Sequence, residues 1–229
     1  HERVLDLYAR SSGATAHLSI GMGNRGTLIA NHPSRRRLRR LQSDLERLGI
    51  VNVTLTHYDP HRYPRVAGGF DKILLDPPCS GEGRWRQAPP HIPAHNRHAS
   101  LRYAHQQRQL LALALRHCHP GGRVLYTTQT LAPEENEAVI ATLLKQWGSR
   151  VRLLPATLPN WITTPGLRRW QSESFPEEMI HTVRIWPHHN DTGGRFIALL
   201  EKRLGTPPPT PDAQPAPLDR RDQSAIAQW

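Results

Sequence analysis

The alternation of short apolar runs with helix signals is the feature that most constrains how this chain folds. Between the runs lie stretches with helix-boundary residues and helical apolar spacing. Strands that alternate with helices in this way form a parallel sheet. We therefore predict an α/β fold with a mostly parallel, doubly wound sheet. The predicted strands occupy residues 3–9, 26–32, 51–59, 70–78 and 121–128.

The predicted helices are bounded by residues that favour helix ends. Pro33 and Gly49 bracket the helix after the second strand. Its leucines recur at three and four residues and form one apolar stripe, at Leu38, Leu41, Leu45 and Leu48. Ser100 is expected to cap a helix that runs to about His117, and residues 133–147 form the helix after the fifth strand.

The last third of the chain changes character. In residues 181–202, two apolar runs flank the turn sequence "NDTGG", which predicts a reversed hairpin at the sheet edge. Residues 204–229 contain six prolines and no apolar periodicity, which is typical of a Pro-rich tail or linker. The expected organisation is one domain over residues 1–203. Because His1 opens directly onto a strand, we expect the chain to be a fragment of a longer protein.

The net charge of the chain indicates which class of partner it binds. Thirty Lys and Arg against nineteen Asp and Glu give a formal net charge of +11. This excess favours nucleic acid as partner over a basic protein without a polyanionic partner. Two cysteines form no disulfide framework, which indicates a reducing compartment, the cytoplasm or an organelle matrix. No apolar run approaches the roughly 20 residues of a membrane span, and the histidines lack metal-ligand spacing, so neither membrane nor metal is expected.

In an open parallel sheet, ligands bind beyond the carboxyl ends of the strands. The most specific sequence at such an end is "DPPCSGEG", where a buried strand delivers Asp76, two prolines stiffen the turn, and Cys79 follows. A stiff turn with an ordinary buried cysteine is the alternative, because free cysteine often packs as a small apolar side chain. The loops expected to form the site are residues 9–15, 30–34, 57–60, 76–87 and 127–132.

The ordered motifs along residues 3–202 resemble the catalytic domain of the Sun/Fmu (RsmB-type) RNA cytosine-5 methyltransferases. The resemblance rests on "VLDL…GAT", "RLRRLQSDLERLG", "DPPCSGEG", "GGRVLYTTQTLAPEENE" and "RIWPHHNDTGGRFIALLEK". It implies a Rossmann-like, class I fold that uses S-adenosylmethionine to methylate RNA.

The resemblance also implies the catalytic positions. Such enzymes add a thiolate to carbon 6 of cytosine, and a second cysteine helps to release the product. Here Cys79 stands at the releasing position and Asp76 at the position that helps to hold the base, but the nucleophile position falls on Gln129. A glutamine amide does not replace a thiolate, so the usual mechanism is closed to this chain.

The loops that the resemblance assigns to the cofactor also lack several residues of the family pattern. The family's Pro-Gly-Gly-Lys-Thr turn is replaced by a serine pair, one glycine and no lysine, and serine resists a positive φ. The acidic ribose contact falls on His32, which accepts at most one hydrogen bond, whereas Asp59 keeps the contact near the adenine. The resemblance implies S-adenosylmethionine as cofactor, with binding weakened or lost. The implied cofactor residues are Ser11, Ser12, Gly13, Ala14, His32, Asp59 and Asp76.

Two basic segments are candidate RNA contacts. In "GRWRQ", an aromatic beside arginines suits stacking on an unpaired base, although Trp85 packing inward is the alternative. The helix segment "SRRRLRR" forms either a phosphate-binding face or a solvated outer face. The candidates are Arg84, Trp85, Arg86, Arg35, Arg36 and Arg39, and the expected partner is rRNA or tRNA, alone or in a ribonucleoprotein assembly.

Three functions stay open at this point. The first is a catalytically degenerate methyltransferase fold that binds RNA or a ribonucleoprotein surface. The second is an active RNA cytosine-5 methyltransferase with Cys79 as its nucleophile. The third is methyl transfer to an exocyclic amine, for which "Asp-Pro-Pro" should be followed by an aromatic residue rather than by Cys79.

Overall fold

The computed structural model describes residues 2–86 and 96–203, and its strands confirm the predicted alternation. The tail predicted for residues 204–229 lies outside the described residues. The strands are β1 Arg3–Asp6, β2 Thr27–Asn31, β3 Val53–Thr56, β4 Phe70–Leu75, β5 Cys118–Thr128, β6 Val151–Leu154, β7 Thr164–Pro165, β8 Arg169–Trp170, β9 Glu173–Ser174, β10 Val183–Ile185 and β11 Arg195–Lys202.

The main sheet has the strand order β3-β2-β1-β4-β5-β11-β10-β7. The first five of these strands are parallel, as predicted. β11 runs antiparallel to β5 and pairs with β10 over one part of its length and with β6 over another. The reversed pair predicted for residues 181–202 is therefore confirmed, but β7 lies outside it and forms the edge of the sheet.

The helices are α1 Ser12–Gly21, α2 Arg35–Arg47, α3 Arg97–His117, α4 Glu137–Trp147 and the short α5 Pro187–Asn190. α5 lies between β10 and β11, so their connection is longer than the tight turn predicted from "NDTGG". The predicted apolar stripe of α2 is buried except for Leu48, which is 50% exposed because it is the C-cap residue.

Two predicted helix starts are each wrong by four residues. α3 is capped by Asn96, whose side chain accepts a hydrogen bond from the Ala99 amide at 3.2 Å. Ser100 is instead buried in the first turn. α4 starts at Glu137 rather than at residue 133, because residues 133–136 form a turn in which the Glu135 amide donates to the Ala132 carbonyl.

The core lies between the sheet and the helices that cover it. Side chains from β1, β4 and β5, such as Leu5, Leu75 and Tyr126, are fully buried against Leu111 of α3 and Ile140 of α4. Burial of a leucine or isoleucine side chain contributes about 1.5–3 kcal/mol. This packing fixes the carboxyl ends of the parallel strands and hence the loops that follow them.

One charged pair lies inside the core. The Arg184 guanidinium of β10 donates to both carboxylate oxygens of Glu137 on α4, at 2.6 and 2.5 Å, and both residues are no more than 1% exposed. The same guanidinium donates to the Leu131 carbonyl at 3.0 Å and lies 5.2 Å from the ring centre of Trp186. This pair therefore ties the reversed strands to the loop that follows β5.

Candidate functional site

Three backbone segments meet at the carboxyl end of the sheet. The Gly83 amide donates to the Gln129 carbonyl at 2.9 Å, and the Gly194 amide donates to the Gly83 carbonyl at 2.7 Å. A Cβ on Gly83 would overlap the Gly194 carbonyl oxygen, so glycine is required for this close approach. The loop that carries Cys79 is thereby held against Gln129.

Cys79 has a free thiol, and the residue is partly buried. Burial raises the pKa of Cys79 above its usual value, and the carboxylates of Glu135 and Asp76 act in the same direction. A hydrogen bond from the Gln129 backbone and the charge of Arg10 oppose this rise of the pKa without cancelling it. Cys79 is therefore a protonated thiol at neutral pH, whereas a nucleophilic cysteine needs a lowered pKa.

A network of hydrogen bonds between buried polar groups holds the loop that carries Cys79. Oε2 of Glu135 accepts hydrogen bonds from the Ser80 amide at 3.1 Å and from the Gln107 side chain at 2.9 Å. The hydroxyls of Ser80 and Thr130 are 2.7 Å apart, and Tyr126 donates to the Glu135 carbonyl. Burial raises the pKa of Glu135. The sequence used "PEENE" only to fix the register, so the part of Glu135 in holding the loop was missed.

Buried carboxyl groups lie where β1 and β4 end. Oδ2 of Asp6 accepts from the Thr15 hydroxyl at 2.8 Å, and burial raises the pKa of Asp6 to about 7. Asp76, whose charge acts on Asp6, also has a pKa raised by burial. Among the residues that the structure describes, Oδ1 of each has no hydrogen-bond partner. Two such oxygens suit an ammonium group, and Asp6 was not among the predicted site residues.

The serine-rich turn after β1 differs from the expectation. Ser11 is extended at φ −134°, and Ser12, Gly13 and Ala14 lie in the first turn of α1. None of the four has a positive φ. Serine at these positions therefore does not strain the backbone.

The ends of β2 and β3 carry a different charge from the ends of β1 and β4. The His32 ring packs edge-on against Tyr8, and its Nδ1 accepts a hydrogen bond from the Ser34 amide at 2.9 Å. Burial, together with nearby cations, lowers the pKa of His32 to about 4. The acceptor nitrogen is thus already in use, so His32 does not accept from a ribose hydroxyl. Asp59 is exposed, and its Oδ1 accepts from the His61 amide at 3.0 Å.

Some side chains predicted to contact RNA are exposed to solvent, and others already form contacts within the protein. Arg84 is exposed. Arg86 donates to the Pro187 carbonyl at 2.8 Å and forms an ion pair with Asp191 at 2.7 Å. Trp85 is half-buried with its indole nitrogen enclosed, which agrees in part with the packing alternative. On α2, the predicted basic residues are exposed, at Arg35, Arg36 and Arg39.

A cavity of about 910 Å³ lies between α4, β6 and the segment around Phe175. None of its lining residues belongs to the loops described above, so it is not part of this site. Within residues 2–86 and 96–203, no group of three or more His, Cys, Asp or Glu side chains is placed to hold a metal ion. In the same two ranges, no helix has the length and apolar character to cross a membrane.

Comparisons with known proteins agree with this arrangement of sheet and loops. The family described as 16S rRNA methyltransferase RsmB/F matches residues 1–201. The chain is 35% identical over 206 residues to the 28S rRNA (cytosine(4447)-C(5))-methyltransferase of Homo sapiens, covering 88% of this chain and 25% of that protein. It is 37% identical over 221 residues to ribosomal RNA small subunit methyltransferase F of Salmonella paratyphi C, covering 94% and 42%.

A solved methyltransferase homolog from Pyrococcus horikoshii superposes with a TM-score of 0.77 at 33% identity, covering 88% of this chain and 61% of that one. The fold is therefore the Rossmann-like fold of the methyltransferases, as the sequence predicted. The chain spans between 25% and 42% of the length of the two curated relatives.

Proposed function

The chain belongs to the 16S rRNA methyltransferase RsmB/F family, and on that premise we propose that it binds ribosomal RNA without methylating it. One observation carries the proposal: Gln129 stands where the resemblance to the family puts the nucleophile, in a loop held by the Gly83 amide and by the contact between the Ser80 and Thr130 hydroxyls. An amide side chain has no thiolate form to add to a cytosine ring. Residues 1–203 would form the RNA-binding domain, and residues 204–229 would be a linker or tail. The protein would act in a reducing compartment.

Methylation with Cys79 as nucleophile is the second candidate, and the site's electrostatics argue against it. Burial, reinforced by Glu135 and Asp76, keeps the pKa of the thiol raised. No described cation or base counteracts these effects enough to favour the thiolate. Addition to carbon 6 of cytosine needs the thiolate, because the thiol is a far weaker nucleophile.

S-adenosylmethionine, the methyl donor implied by the family, fits only one end of the site. The carboxyl groups of Asp6 and Asp76 would hold the ammonium of its amino-acid part, since each has a buried oxygen without a described partner. At the ribose end, His32 offers no acceptor. Loss of that acceptor weakens binding by about ten- to hundred-fold, at about 1.5–3 kcal/mol for a hydrogen bond to a charged group.

The proposal predicts no methyl transfer and no covalent adduct. Incubation with S-adenosylmethionine and 5-fluorocytosine-substituted rRNA fragments should give neither labelled RNA nor a denaturation-resistant complex. Cys79→Ser is the matched variant, because it removes the sulfur and keeps the size of the side chain. Native protein and variant should be equally inactive. An adduct that forms with the native protein and disappears in Cys79→Ser would establish the second candidate instead.

RNA binding should depend steeply on salt. Each phosphate contacted on single-stranded RNA contributes about −0.7 to the slope of log K against log salt. Arg84→Gln should flatten that slope by about 0.7, because Arg84 is exposed and no described carboxylate pairs with it. Arg86→Gln is the matched control and should change it less, since Asp191 and Pro187 already hold that guanidinium. Filter binding across a salt series measures both variants.

The same series tests the aromatic contact. Trp85→Ala should weaken RNA binding by about 1–3 kcal/mol without changing the salt slope, because stacking on a base is not ionic. Unfolding of the variant in urea serves as the control, since Trp85 is half-buried. A salt-independent affinity for RNA, or full affinity in an Arg84→Gln/Trp85→Ala variant, would contradict this surface.

A further inference from the structure

Two large apolar side chains in succession are exposed in the segment between β6 and β7. Trp161 is 45% exposed and Ile162 is 60% exposed. We call these two residues the apolar pair. Neither of them belongs to the loops that follow the parallel strands. Isolated exposed apolar side chains are common on protein surfaces, so the fixation and the surroundings of this pair decide whether it is a contact surface.

Hydrogen bonds hold the turn that carries the apolar pair. Asn160 is left-handed at φ 66°, which asparagine tolerates better than most residues, and the Trp161 amide donates to the Leu158 carbonyl at 3.3 Å. The Ile162 amide donates to Oδ1 of Asn190 at 2.9 Å, and Nδ2 of Asn190 donates to the Ile162 carbonyl at 2.8 Å. One side chain of α5 thus pairs with both backbone polar groups of Ile162. A surface that is ordered before its partner arrives loses little conformational entropy on binding.

The same short helix joins this turn to the loop after β4. Arg86 of that loop donates to the Pro187 carbonyl at 2.8 Å and forms an ion pair with Asp191 at 2.7 Å. Asn190, which holds Ile162, directly precedes Asp191 in the chain. The Arg86 guanidinium and the Ile162 backbone are therefore connected through two side chains and one peptide unit, a reach of at most roughly 16 Å. The apolar pair thus lies beside the basic end of the loop after β4.

The combination of groups on this surface suits single-stranded RNA. Arg84 is exposed, and no described carboxylate pairs with it. The Arg86 side chain stays 49% exposed in its ion pair with Asp191. Single-stranded nucleic acid binds where bases stack on aromatic rings and cations contact the phosphates. A base inside a duplex is already stacked on its neighbours, so only an unpaired base can reach the ring of Trp161.

We propose that Trp161 and Ile162 form a platform on which an unpaired RNA base stacks, while Arg84 contacts a phosphate of the same strand. The protein then binds a single-stranded tract that runs from the loop after β4, past α5, to this platform, and it binds duplex RNA more weakly. The inference rests on the proposed binding of RNA. It adds to that proposal a second point of contact and the single-stranded form of the ligand.

Fluorescence anisotropy with an unstructured RNA oligonucleotide, and with the same sequence paired in a hairpin stem, tests the platform. Trp161→Ala should weaken binding of the single strand about five- to hundred-fold, the effect of losing one stacked base. Trp161→Phe should keep most of the affinity, because phenylalanine also offers a ring face. The stem should bind the native protein more weakly than the single strand and should respond little to Trp161→Ala. Trp170→Ala is the matched control and should leave both affinities unchanged, because Trp170 is 40% exposed but pairs with Glu173, which lines the cavity beside α4.

Oligonucleotides that lack one base at successive positions separate stacking from a change of fold. At one position, loss of the base should weaken binding to the native protein about five- to hundred-fold and have no further effect in Trp161→Ala. Asn190→Ala keeps the ring of Trp161 but frees its turn, so the effect of base loss at that position should shrink there as well. This variant carries the test where Trp161→Ala does not fold. A pattern of base loss that is the same in the native protein and in both variants would overturn the proposal.

The results also distinguish failure of the platform from failure of RNA binding. A native protein that binds neither the single strand nor the stem overturns the proposed function and the platform with it. RNA binding that depends on Arg84 but is equal in the native protein and in Trp161→Ala overturns the platform alone, and the apolar pair is then a contact for a protein. Equal affinity of the native protein for strand and stem likewise overturns the platform.

Discussion

Arg184→Met is expected to destabilise the protein by about 3–5 kcal/mol. The substitution leaves the Glu137 carboxylate in the core without its guanidinium partner, and an uncompensated buried charge has a cost of this size. It also removes the donor to the Leu131 carbonyl, so the loop that contains Gln129 loses one of its supports. Urea unfolding followed by circular dichroism gives the change in the free energy of unfolding.

The ion pair between Arg152 and Glu201 provides the matched control. Its nitrogen–oxygen distance is 2.9 Å, but the arginine side chain is 52% exposed. Arg152→Met should therefore cost at most about 1 kcal/mol. A double variant, Arg184→Met/Glu137→Leu, should recover much of the stability, because it removes both buried charges. A loss below about 1 kcal/mol in Arg184→Met alone would show that the pair contributes no more than a surface contact.

Acidification from pH 7 to pH 4 is expected to destabilise the protein through His117. Its ring is 5% exposed and packs edge-on against Tyr63, and Nε2 is buried without a described partner. Burial, with smaller contributions from Arg65, Lys202 and Arg116, lowers the pKa of His117 from 6.5 to about 4. Between pH 6.5 and pH 4 the unfolded chain binds a proton at this histidine that the folded protein does not, so the contribution of His117 to stability falls as the pH falls. Asp6 acts in the opposite direction, because its pKa is raised to about 7 in the folded protein.

A pKa difference of this size corresponds to about 3 kcal/mol of folding stability. This contribution is present in full above pH 6.5 and is lost by about pH 4. His117→Phe keeps a ring against Tyr63 and removes the titration. Its loss of stability between pH 7 and pH 4 should be about 3 kcal/mol smaller than that of the native protein. His17→Phe replaces an exposed histidine and should leave the pH dependence unchanged. Equal pH dependence in all three proteins would contradict this assignment.

The sequence predicted the parallel part of the sheet because the signal is local. Each of the five strands is an apolar run between helix or turn residues, and such runs are buried whatever their partners are. β6 and β7 were missed for the converse reason. β7 has only two residues, too few to show periodicity, and β6 depends on pairing with β11, far along the chain.

The proposal that Gln129 stands at the family's nucleophile position needs no coordinates, since it depends on residue type and register. The sequence did not determine the protonation state of the neighbouring side chains. Cys79 is a thiol because of its burial and of two carboxylates, one of them 56 positions away at Glu135.

Tertiary structure decided which charges are free and which are engaged. Arg84 and Arg86 are equivalent in the sequence, but only Arg86 meets Asp191, on a segment that folds back beside it. His32 is a donor because the chain bends so that the Ser34 amide reaches Nδ1. The pair formed by Arg184 and Glu137 joins residues 47 positions apart. Residue type and periodicity determine burial and element order, whereas ionisation and pairing depend on neighbours that only the packed chain brings together.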